Sequence, residues 1–141
     1  MDAQDHFEIH NLYAAYCHRM DSGDFDGWAR LFTPDGLWER VEADGTVAFS
    51  VEGHAAIAEF AREDFAARGS GMARHWMGNI MLEGEPPRVL GRTYGFLIQS
   101  IDGDITWMAH GNFTDDLVKL PEGWRIKSLK LTRLRVDTVT G

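Results

Sequence analysis

Cysteine occurs once in this chain, at Cys17, so no intrachain disulfide can form and no thiolate-based zinc cluster can assemble. Basic side chains are also scarce: 14 Lys and Arg stand against 22 Asp and Glu, a formal charge of −8. An acidic surface repels phosphate backbones and anionic lipid, which sets aside nucleic acid and membrane as partners. No apolar run approaches the about 18–20 residues that a membrane span requires. The opening Met1-Asp2-Ala3-Gln4-Asp5-His6 is acidic and polar, without the basic start and apolar run of a secretory leader. Together these absences lead us to expect a reducing, cytoplasmic location. Repeats and low-complexity tracts are missing too, and turn residues are evenly spaced. The expectation is one domain over residues 1–141.

What is present is the balance of a soluble globular protein, 44% hydrophobic and 26% charged. Ile9, Leu12, Tyr13, Tyr16, Cys17 and Met20 recur at steps of three and four, which predicts an amphipathic helix over about Gln4–Met20. Gly23 suits a left-handed C-terminal stop, and Asp24 suits a cap for a second short helix carrying Phe25, Trp28, Ala29 and Phe32. Thr33-Pro34-Asp35-Gly36 is expected to break that helix. Strands over Leu37–Glu42 and Thr46–Glu52 flank an Ala43-Asp44-Gly45 turn. A third helix places Ile57, Phe60, Ala61 and Phe65 on one face and ends at Arg68-Gly69-Ser70-Gly71. Four long strands follow, over about Met72–Glu83, Arg88–Ser100, Ile105–Leu120 and Trp124–Val136, joined by Gly84-Glu85-Pro86-Pro87, Asp102-Gly103 and Pro121-Glu122-Gly123. Three helices against one curved antiparallel sheet make an α+β arrangement whose hollow can hold a small molecule.

Several side chains can carry chemistry there. Asp21, at the edge of the first helical stripe, fits either a carboxylate facing the hollow or an acid bonded to turn backbone. On the third strand, Met72–Glu83, His75, Met77, Asn79 and Met81 share one face, and Trp76, Gly78, Ile80 and Leu82 the other. Both faces are largely apolar, so we expect helices to cover one and a second copy of the chain the other, with Trp76, Ile80 and Leu82 at a homodimer surface. His75 is then a pocket histidine or a buried neutral one satisfied by backbone. Tyr16 and Tyr13 lie on the helical stripe. His110, Asn112 and Met108 share a strand face, where the two polar residues need each other or a ligand as partner. Other motifs fail. His6 and His10 are four apart without the His-Glu-x-x-His pattern, no glycine-rich phosphate loop follows a strand, and no Gly-x-Ser-x-Gly elbow exists. No metal and no organic cofactor is therefore expected.

The run Tyr16-Cys17-His18-Arg19-Met20-Asp21-Ser22-Gly23-Asp24, with Trp28, Phe32 and Thr33-Pro34-Asp35-Gly36, resembles the opening of the SnoaL-like, nuclear-transport-factor-2-like superfamily. Val51-Glu52-Gly53-His54 looks like its third-helix entry, and Gly123-Trp124-Arg125-Ile126 like its last strand. This resemblance spans nearly the whole chain. It implies a cone-shaped barrel, a curved mixed or antiparallel sheet wrapped on three N-terminal helices.

Two positions narrow the resemblance to scytalone dehydratase and hexachlorocyclohexane dehydrochlorinase. In both, an aspartate at the place of Asp21 partners a histidine on the third strand, and Arg74-His75-Trp76-Met77-Gly78 matches that segment. Trp38 matches a pocket tryptophan of the dehydrochlorinase, and Asn112 looks like a pocket asparagine of the dehydratase. A second pocket histidine of the dehydratase falls near Gln99 here. Tyr16 matches the oxyanion tyrosine of ketosteroid isomerase, but that enzyme's general base falls near Arg40, which cannot act as a base at neutral pH, unless Glu39 substitutes from a shifted register.

The resemblance implies a cofactor-free lyase of the dehydratase type, acting on a small apolar, aromatic or cyclic hydroxylated substrate. Asp21, His75 and Tyr16 are its catalytic residues, and Trp38, His110, Asn112, Met77 and Tyr13 contact the substrate. The same parts serve carbon–carbon scission with release of a small aldehyde, or an isomerase or cyclase. Two other classes share the fold: the small subunit of a ring-hydroxylating oxygenase, and a non-catalytic binding module.

Overall fold

The computed structural model describes residues 1–69 and 72–134. Helix α1 (Ala3–Asp21) starts at a reciprocal cap in which Asp2 accepts the Asp5 N–H and Asp5 accepts the Asp2 N–H. It stops where Gly23 takes φ 77°, and Asp24 then caps α2 (Phe25–Ala29) by accepting the Gly27 N–H. The expected stop and restart are both present. Ile9, Leu12, Tyr16 and Met20 of α1 pack with Trp28 of α2 in the core.

Strand β1 (Phe32–Val41) does not wait for Leu37; it runs through Thr33-Pro34-Asp35-Gly36. The reason lies in the ladder. Phe32 faces Ile126 and Leu37 faces Ser128, so the intervening residues bulge out of register. Pro34, which has no N–H to donate, falls in that stretch. After the Asp44-Gly45 turn comes β2 (Val47–Glu52), and then α3 (His54–Ala67). The α3 face is Ile57, Ala58 and Ala61, not Phe65; that ring is 39% exposed and meets Phe25 edge-on at 5.4 Å.

Strands β3 (Ala73–Glu85), β4 (Arg88–Ile101), β5 (Asp104–Leu120) and β6 (Gly123–Arg133) complete one sheet of order β2-β1-β6-β5-β4-β3. Among the described residues only the β1–β6 pairing is parallel, so the sheet is mixed. Val136, expected in the last strand, lies outside the described residues, as do Ser70 and Gly71. The β4–β5 hairpin turns on Asp102 and Gly103, both at positive φ, as a two-residue turn requires.

One irregularity moves side chains between faces. The β3–β4 register shifts between Gly78 and Met81, and Asn79 sits at φ 54°. A bulge of this kind flips the alternation beyond it. His75 and Met77 keep the inner face, but Ile80 and Leu82 now turn inward and pack on the core, while Asn79 and Met81 turn out. Of the expected outer trio, only Trp76 is exposed.

Candidate functional site

The helices and the sheet enclose a cavity of about 260 Å³. That is slightly below the roughly 300–1,000 Å³ of most small-molecule pockets, so it suits a compact ligand. Aromatic and sulfur-bearing walls come from every layer: Tyr16 and Met20 on α1, Trp28 on α2, Trp38 on β1, Phe60 on α3, Met77 on β3 and Phe113 on β5. Glycines make room. Gly95 and Gly111 face each other across β4 and β5 and line the cavity. A Cβ on Gly95 would stand 2.5 Å from the Phe113 ring, and one on Gly111 would stand 2.4 Å from the Thr132 carbonyl oxygen.

Asp21 and His75, 54 residues apart in sequence, meet where His75 lines the cavity. Asp21 is the last residue of α1, and β3 is an edge strand paired only with β4. The His75 backbone N–H points away from the ladder and donates to Asp21 Oδ2 at 3.0 Å. The imidazole Nδ1 lies 2.6 Å from Asp21 Oδ1. A carboxylate only accepts, so in the neutral ring the contact selects the tautomer with the proton on Nδ1 and the lone pair on Nε2. Asp21 thus fixes position and tautomer together. The His75 ring remains 20% exposed and lines the cavity.

Tyr16 Oη accepts the Trp38 indole N–H at 3.0 Å, which leaves its own proton to donate. Burial pushes the phenol far above its ordinary pKa, so Tyr16 stays a neutral hydrogen-bond donor. Cys17 is inert by the same cause, its thiol pushed up to about 12 by burial.

Of the remaining sequence-predicted residues, Trp38, Met77 and His110 line the cavity, His110 as an exposed side chain. Two do not. Tyr13 is 1% exposed, with its hydroxyl donating to the buried Asp115 at 2.8 Å, in the core rather than at the cavity. Gly91 is a glycine for that reason, since a Cβ there would sit 2.2 Å from the Tyr13 hydroxyl. Asn112 pairs with Tyr94 and is exposed, while Gly111 and Phe113 on either side take the buried positions. Strand alternation places Asn112 on the outer face. Gln99 is buried and donates to the Arg68 carbonyl at 2.9 Å instead of facing the cavity. On β1 the cavity takes Trp38 and Arg40 and not Glu39, so the shifted register that would supply a carboxylate base does not occur.

Sequence reading missed a charged part of the wall: Arg40, Asp64, Arg68 and Arg133. A signal existed on α3. Ile57, Ala61, Asp64 and Arg68 continue one stripe at steps of three and four, so the two charged residues sit where the apolar face points. Burial, then the neighbouring Arg40, lowers the Arg133 pKa from its ordinary value. Among the described residues no group of three or more His, Cys, Asp and Glu side chains is placed to hold a metal ion, and no helix is long and apolar enough to cross a membrane.

Residues 1–130 match the SnoaL-like domain, and the chain belongs to that family. Among solved structures it is similar to Rv3472 of Mycobacterium tuberculosis, a protein of unknown function, with 26% identity and a TM-score of 0.80 over 94% of this chain and 73% of that one. An NTF2-like protein with a cystatin-like fold from Novosphingobium aromaticivorans gives 23% identity and a TM-score of 0.81 over 96% and 85%. The beta subunit provisionally assigned to an aromatic-ring-hydroxylating dioxygenase of the same organism gives 20% and 0.76 over 94% and 92%. The fold is thus the NTF2-like, cystatin-like one, with the curved sheet and N-terminal helices expected from the sequence. No curated protein matches the chain in sequence.

Proposed function

We propose that the chain is a cofactor-independent lyase that eliminates water from a small aromatic or cyclic hydroxylated substrate. The observation that carries this reading is the 2.6 Å contact between His75 Nδ1 and Asp21 Oδ1 at the wall of an aromatic cavity. His75 Nε2 takes a proton from the carbon next to a carbonyl. The electron pair moves into an enolate, whose oxygen accepts the Tyr16 hydroxyl proton as a hydrogen bond. Asp21 stabilises the imidazolium. Collapse of the enolate expels the β-hydroxyl, which takes the proton back from His75 and leaves as water. If the proton instead comes from a hydroxyl, the same groups support carbon–carbon scission with release of a small aldehyde. The test is a mass-spectrometric screen against hydroxylated aromatic and polyketide-like compounds. Loss of water is expected, loss of formaldehyde would select the second route, and ligands that emerge unchanged would favour a binding module.

The same reading takes the protein as a cytoplasmic homodimer. Support comes from exposed apolar side chains on β3–β5, namely Trp76, Tyr94, Ile105 and Trp107. Sedimentation at micromolar concentration should give twice the chain mass; the chain mass alone would contradict it. A competing role, as the small subunit of a ring-hydroxylating oxygenase, is favoured by the beta-subunit neighbour. It requires co-purification with a larger chain and tolerance of substitution at His75.

A further inference from the structure

Arg68 ends α3 and lines the cavity with His75. Its side chain is 10% exposed. Nε, Nη1 and Nη2 are all buried, and none has a hydrogen-bond partner among the described residues. Asp64 Oδ2, four residues earlier, lies 3.6 Å from Nε as an ion pair beyond hydrogen-bond reach, and the Asp64 side chain is itself 36% exposed. The arginine is held in place from behind. Gln99 Nε2 donates to its carbonyl at 2.9 Å, and the guanidinium carbon stands 5.4 Å from the Phe65 ring centre. Arginine keeps its charge when buried, and its planar fork of N–H donors matches a carboxylate two bonds at a time. Arg40 and Arg133 also line the cavity, three arginines against Asp64 in the lining and Asp21 behind His75, so the field there favours an anion.

We propose that Arg68 binds a carboxylate carried by the substrate, so that the substrate class is an aromatic or cyclic hydroxy acid. This rests on reading the cavity as the substrate site. Bound carboxylate would draw the buried guanidinium donors round into the cavity and, by fixing one end of the ring, set the other end against His75. The surrounding rings supply affinity for the apolar body, and Arg68 supplies orientation.

The probes are 2-naphthoate and its neutral isostere 2-naphthamide, titrated calorimetrically into the wild-type protein and into Arg68→Gln, Arg68→Lys and His75→Gln. Wild type should bind the carboxylate about tenfold or more tighter than the amide, the range of one or two charge-assisted hydrogen bonds. Arg68→Gln should reduce that preference to within about twofold, Arg68→Lys should keep part of it, and His75→Gln should leave it intact. Equal wild-type affinities, or binding of neither probe, would overturn the proposal even if Arg68→Gln failed to fold. So would a preference that survives in folded Arg68→Gln. None of these outcomes bears on the dyad, whose own test is turnover in His75→Gln.

Discussion

Two aspartates in this fold each meet a ring-bearing donor from a distant element, and they end in different surroundings. Asp21, behind the cavity-lining His75, takes hydrogen bonds from the His75 backbone and imidazole on its two oxygens. Asp115 in the sealed core takes the Tyr13 hydroxyl on Oδ2, while Oδ1 has no hydrogen-bond partner among the described residues. Burial pushes the Asp115 carboxyl up to about 8, against the opposing pull of Tyr13 and of the Lys130 backbone. The first arrangement prepares a base beside open space. The second keeps a protonated acid where nothing can reach it. An aspartate beside a ring is therefore no sign of chemistry by itself; the cavity decides.

Substitutions can break that contrast. On a substrate found by the elimination screen, His75→Gln should lower kcat by ~10²–10⁴-fold, the usual contribution of general-base catalysis, with KM little changed. Tyr16→Phe should cost ~1.5–3 kcal/mol of transition-state stabilisation, read as kcat/KM, because one hydrogen bond to developing charge is lost. Tyr13→Phe, only three residues away, should leave kcat alone and lower stability by ~1–3 kcal/mol in urea melts, since Asp115 loses its donor.

The core aspartate also sets a pH trend. Its folded pKa is raised above the ~3.9 of an unfolded carboxyl. The folded state therefore keeps a proton that the unfolded state releases, and stability falls as pH rises from about 4 towards about 8. This group contributes a slope of at most ~1.4 kcal/mol per pH unit, and Asp115→Asn should flatten the curve across that window. The smallest effect is expected at Asn112, on the outer face, where Asn112→Ala should change neither kcat nor KM beyond about twofold. A large loss there would mean that the outer face of β5 takes part in the site.

The helical stripe of α1 and the Gly23-Asp24 stop and restart could be read from the chain because spacing and cap chemistry are local, whereas the pairing of Asp21 with His75, 54 residues apart, was legible only through resemblance. What could not be read came from the sheet. The bulge at Asn79 reverses the faces of Ile80, Met81 and Leu82, and nothing in that run announces it. Tyr13 and Tyr16 share one stripe and are both buried, but Tyr16 lines the cavity while Tyr13 is held away from it against Gly91 and Asp115. Asn112 was drawn inward by resemblance, whereas alternation with Gly111 and Phe113 puts it outside. Arg68 was legible in principle, from a charged residue on an apolar stripe.

The central claim is that Asp21 and His75 serve one proton-transfer step. A double-mutant cycle on kcat, using folded Asp21→Asn, His75→Gln and the combined variant, tests it most directly. The account predicts a double mutant little slower than the slower single one, because the second substitution removes a partner from a step already lost. Full activity in folded His75→Gln, or losses that multiply in the double mutant, would contradict it.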